Sequence, residues 1–68
     1  MIELIPSSWW LTDTYKFRVH VGYHRVSAAW DWCAGTFGAM HDCGWIDQGS
    51  YICFVDQCQA ALFDMVWS

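Results

Sequence analysis

Residues 52–68 read Ile-Cys-Phe-Val-Asp-Gln-Cys-Gln-Ala-Ala-Leu-Phe-Asp-Met-Val-Trp-Ser. A short apolar strand runs into a helix through an Asp-x-x-Gln start signal, in which Asp56 and Gln59 each serve a free N–H of the first turn. This βα unit constrains the fold more than any other segment, because its helix is apolar nearly all round. At about 100° per residue, Ala60, Phe63 and Trp67 form one stripe, and Cys58, Ala61, Leu62 and Met65 form a second on roughly the opposite side. A surface helix needs one apolar face; a helix with two is covered on more than one side. Two coverings suit the second stripe: the first helix of the chain, or a partner or second copy that makes the stripe a self-association surface.

The chain has 68 residues and is read as one domain, 1–68. A chain this short buries only about 60% of its unfolded surface, so its core must use large residues. Six Trp, four Phe and three Tyr supply them. Each buried ring removes about 150–250 Å² from water. That is more ring surface than one small core hides, so part of it, including tryptophans, is expected to face a partner.

Alternation from Tyr15 to Tyr23 predicts a strand. It places Tyr15, Phe17, Val19 and Val21 on one side and Lys16, Arg18 and His20 on the other. Ile2–Ile5 reads as a short strand ended by Pro6, followed by a loop or strand bearing the exposed-looking Trp9 and Trp10. Ser27 suits a helix cap, with Val26, Trp30, Cys33 and Phe37 on the buried face and Gly38 at the end. Trp45–Gly49 reads as a short strand entering a turn and Ser50–Val55 as a second strand, with Ile52 and Phe54 opposite Tyr51, Cys53 and Val55. Strands joined by helix-sized crossovers predict an α+β fold: a small antiparallel sheet of three to four strands, both helices on one face. The order looks like a ferredoxin-like unit that stops before its last strand. Either Ile2–Ile5 or another molecule fills the open edge.

The net charge is −4, and its seven acids are scattered singly. Dense acidic stripes that mimic nucleic-acid phosphates are absent from the sequence. Three cations, Lys16, Arg18 and Arg25, are few for phosphate binding. A sheet face presenting Lys16, Arg18, His20 and Tyr51 keeps nucleic-acid binding as the alternative to protein binding. His20, His24, His41 and the four cysteines lack the paired spacing of a structural zinc site, so no metal and no cofactor is expected. No local signature joins a Cys to a base, and the chain is read as non-enzymatic. Met1–Pro6 lacks the basic and apolar regions of a secretory leader. No stretch approaches the ~18 apolar residues of a membrane span. The expectation is therefore a cytoplasmic protein with reduced thiols and no membrane contact.

From Trp32 to Trp67 the layout resembles a group of short uncharacterised bacteriophage proteins. Trp32 and Phe37-Gly38 close a first helix, Trp45 precedes a turn, Ile52 and Phe54 lie on an alternating strand, and Ala60, Phe63 and Trp67 mark a last helix. Ile52 stands where an aromatic is usual, and Asp64 where a basic residue is common. The resemblance implies a viral origin and the cytoplasm of an infected bacterial host, and it carries no catalytic residue. The combined expectation is a non-catalytic protein that binds and inhibits a host protein complex of defence or gene-expression machinery. Its contact residues would be Trp9, Trp10, Lys16, Arg18, His20 and Tyr51. A homo-oligomeric structural or assembly protein, joined through Cys58, Ala61, Leu62 and Met65, is a further reading.

Overall fold

A computed structural model describes residues 2–9 and 14–67. Four strands and two helices follow in the order β1 (Ile2–Leu4), β2 (Phe17–His20), α1 (Tyr23–Thr36), β3 (Trp45–Gln48), β4 (Tyr51–Phe54) and α2 (Gln57–Trp67). The strands form one antiparallel sheet of order β1-β2-β4-β3. β3 and β4 are joined by a tight hairpin through Gly49-Ser50, whereas β2 reaches β3 only through α1. The chain thus fills the place beside β2 with its own β1, and the edges of the sheet are β1 and β3.

Register places Phe17 opposite Phe54 and Val19 opposite Ile52, with Trp45 beyond Phe54. Val19, Trp45, Ile52 and Phe54 are fully buried with Ala29 and Cys33 of α1 and Ala60 and Phe63 of α2. Both helices therefore cover the same face. Arg18, His20, Tyr51 and Cys53 alternate with these residues and lie on the other.

α1 begins one turn earlier than Ser27 suggests. Gly22, at φ 84°, turns the chain from strand to helix, and its carbonyl accepts from the N–H groups of Arg25 and Val26. That positive φ is cheap for glycine alone, and nothing in Tyr23–Val26 breaks a helix, so backbone bonds outweigh the cap preference of Ser27. The predicted strand is shortened to match, and Tyr15 packs on the opposite side of the sheet from Val21. The buried line of α1 is Ala29 and Cys33, not Trp30, which is 38% exposed. Small side chains beneath the helix let it lie close on the sheet and leave the indole at its flank, edge-on to Trp45. Trp32, which periodicity does not place, fills the gap between the helices, edge-on to Phe37, Phe63 and Trp67.

The start of α2 follows half of the expected pattern. The Cys58 N–H donates to Asp56 Oδ1 at 3.2 Å. Gln59 does not reciprocate; its Oε1 is buried with no hydrogen-bond partner among the described residues. At the other end, Trp67 stacks on Phe63, and Arg25 Nη2 donates to the Trp67 carbonyl at 3.0 Å. A cation from the first turn of α1 thereby meets the negative end of the α2 dipole.

Candidate functional site

Two surfaces carry the residues that the sequence singles out. The first is the sheet face away from the helices. β1 pairs with β2 so that Glu3 lies opposite Arg18, and Arg18 Nε donates to Glu3 Oε1 at 2.9 Å. The same guanidinium lies 4.6 Å from the Trp9 ring centroid and 4.4 Å from that of Tyr51. Tyr51 also meets Trp9 and His20 edge-on, with centroids 5.7 Å and 5.1 Å away. Trp9, Arg18, His20 and Tyr51 are thus brought together. Lys16 is exposed just before β2, and Trp10 lies outside the described residues.

This cluster is not a bare basic patch. The Arg18 side chain is only 15% exposed, and its charge is answered by one carboxylate and two ring faces. Cys53, expected to point outward, does so but is fully buried. Ile5, Tyr15, Trp9 and Met40 pack over it together with Ile46. Burial pushes the Cys53 thiol up to about 11; Arg18 lowers the value and Asp47 raises it by smaller amounts. Tyr15 is raised above its ordinary value by burial and then by Cys53.

The second surface is the outer face of α2. Ala60 and Phe63 are fully buried, as the first stripe requires. Cys58, Ala61, Leu62 and Met65 of the second stripe are all exposed. Met65 is 83% exposed and Leu62 43%, and Val66, which falls outside the predicted stripe, joins them. α1 does not cover this stripe, because it packs over β3 and β4 while α2 lies over β1, β2 and β4. Packing between helices is thereby excluded as the stripe's cover among the described residues. The expectation about tryptophans also shifts. Trp45 is buried, Trp9, Trp32 and Trp67 are half-buried against other rings, and Trp30 is the one exposed tryptophan among the described residues, with Tyr23 exposed beside it in α1. The uncovered apolar surface of α2 is instead aliphatic.

Cys33 and Cys53 are buried free thiols, Cys43 is half-buried and Cys58 exposed. Burial raises Cys33 to about 12, so it is a poor nucleophile at neutral pH. Among the described residues no group of three or more His, Cys, Asp and Glu side chains is placed to hold a metal ion. Among the same residues there is no enclosed pocket, and no helix is long and apolar enough to cross a membrane. No protein-family model, curated protein or solved structure matches the chain.

Proposed function

We propose that the chain is a non-catalytic binding protein that acts by covering a surface of a protein partner. The observation that carries this reading is the outer face of α2, where Cys58, Ala61, Leu62, Met65 and Val66 stand exposed side by side. Apolar side chains gathered on one solvent-facing helix face cost free energy until something covers them. In the viral setting that the resemblance of Trp32–Trp67 implies, the partner is a host protein complex in the bacterial cytoplasm and the outcome is inhibition. Inhibition by occupancy requires surface complementarity and no reacting group.

Nucleic-acid binding through the sheet face is the weaker reading. Its central cation, Arg18, is already engaged by Glu3, Trp9 and Tyr51, and the chain carries a net charge of −4. Affinity purification from bacterial lysate, with the chain tagged at one end and then at the other, tests the protein-binding reading. Recovery of the same protein by both versions is expected. Recovery of none by either removes the reading.

A further inference from the structure

We propose that the open edge of β3 takes up an extended segment of a partner protein that carries an arginine opposite Asp47. This edge lies across the sheet from β1 and is independent of the outer face of α2. The Val55 N–H donates to the Gly44 carbonyl, which sets the phase of the β3–β4 ladder. Gly44, Ile46 and Gln48 therefore aim their backbone groups at β4, and Trp45 and Asp47 aim theirs away. The Trp45 carbonyl already accepts from the His41 N–H at 2.9 Å. The N–H and C=O of Asp47 have no backbone partner among the described residues. A donor and an acceptor side by side suit one residue of an added strand.

The side chains around Asp47 select the arginine. Alternation puts Asp47 on the helix-covered face with Trp45, and the residue opposite it on an added strand shares that face. The Asp47 carboxylate makes no hydrogen bond or ion pair among the described residues. Exposed rings flank it. Trp30 meets Trp45 edge-on at 6.1 Å, and the Tyr23 hydroxyl lies 3.7 Å from where a Cβ on Gly49 would stand. Asp47 sits between Trp45 and Gly49 on the strand. Trp30 is 38% and Tyr23 77% exposed, so both leave ring surface for a flat cation. The β1 edge shows such an arrangement complete: Glu3 answers Arg18 directly across the ladder, and Arg18 lies against two rings. At β3 the chain supplies the acid and the rings but no cation. A second copy does not supply one either. Arg18 and Arg25 are held by Glu3 and the Trp67 carbonyl, and Lys16 has a contact of its own. An acid on an edge strand also discourages pairing with an identical edge.

The test uses the full chain and a labelled peptide that alternates Thr and Val around one central Arg. One control replaces the Arg with Glu. Another methylates the backbone nitrogen of the Arg, which removes the donor that reaches the Asp47 carbonyl. Fluorescence anisotropy is expected to show the Arg peptide binding at least ~10-fold tighter than either control. Asp47→Asn, which keeps the shape of the side chain, is expected to weaken it about five-fold or more. Asp47→Lys is expected to reverse the preference, so that the Glu peptide binds tighter than the Arg peptide. Tyr23→Ala is expected to weaken the Arg peptide about three-fold or more. Hydrogen exchange at the Asp47 amide is expected to slow in the complex. Circular dichroism checks that each variant folds, and Asp47→Asn carries the charge test where Asp47→Lys does not fold. Absence of binding at about 1 mM peptide, equal binding of the methylated peptide, or indifference to Asp47→Asn overturns the proposal. So does an unchanged preference in folded Asp47→Lys. A sedimentation dimer that the Arg peptide dissociates overturns it as well, since the edge then belongs to a second copy.

Discussion

Trp45 donates its indole N–H to the Gly38 carbonyl at 3.0 Å. The bond ties the first residue of β3 to the chain leaving α1, and Trp45 is fully buried. Replacing Trp45 with Phe leaves that carbonyl without its partner and opens a void beside Trp30, whose ring centroid is 6.1 Å away. The expected loss is about 2–4 kcal/mol, from an unmade bond plus a cavity. Urea unfolding followed by circular dichroism checks it; the midpoint should fall while the slope stays constant.

Gly38 is constrained twice. Its φ is 111°, and a Cβ added there would lie 2.5 Å from Cys43 Sγ. Gly38→Ala is expected to destabilise the fold by about 2–4 kcal/mol, through a strained backbone and an overlap. Cys43→Ala removes the sulfur and leaves the backbone strain. Gly38→Ala should therefore cost about 1–2 kcal/mol less in the Cys43→Ala background. Equal costs in both backgrounds would assign the whole effect to the backbone.

Two thiols link stability to alkaline pH. Cys33 is pushed up to about 12 and Cys53 to about 11, from an ordinary value near 9, both chiefly by burial. Above pH 9 the unfolded chain loses these protons and the folded chain keeps them, so stability falls as pH rises. The stabilisation is fully present below pH 9 and is lost between there and 11 to 12. Each thiol contributes a slope of about 1.4 kcal/mol per pH unit within its window. Denaturation at stepped pH should lose most of that slope in Cys33→Ala/Cys53→Ala, after allowing for a lower baseline. At pH 8, a thiol reagent should modify the exposed Cys58 first and reach Cys33 and Cys53 only through unfolding.

The sheet faces were legible because a strand has one short period. Phe17 and Val19 lie opposite Arg18 and His20, and Ile52 and Phe54 lie opposite Tyr51 and Cys53, as alternation requires. The start of α1 was not. A Ser27 cap is a preference of about 1 kcal/mol, and the backbone turn at Gly22 outweighs it. The Trp30 assignment failed because Ala29 and Cys33 set which side of α1 meets the sheet. On α2 the apolar second stripe was readable, but its exposure depends on where α1 packs, which no local pattern encodes. The partnership of Glu3 with Arg18 was missed for a similar reason. It rests on the register of β1 against β2, set across an intervening loop.

That partnership supports the last prediction. Arg18 makes one ion pair and two cation–π contacts from a single guanidinium. Glu3 is 45% exposed, so solvent screening leaves the ion pair worth at most about 1 kcal/mol. Glu3→Gln should therefore cost no more than that, and less in high salt. Arg18→Ala loses the ion pair, both ring contacts and a largely covered side chain opposite Cys53 in the register, and should cost about 2–3 kcal/mol. Arg18→Lys keeps the charge but not the flat fork that lies against both Trp9 and Tyr51, so it should fall between the two. If unfolding measurements place Arg18→Lys level with the native chain, the rings are responding to charge alone. If Glu3→Gln costs as much as Arg18→Ala, the ion pair rather than the rings holds β1 to the sheet.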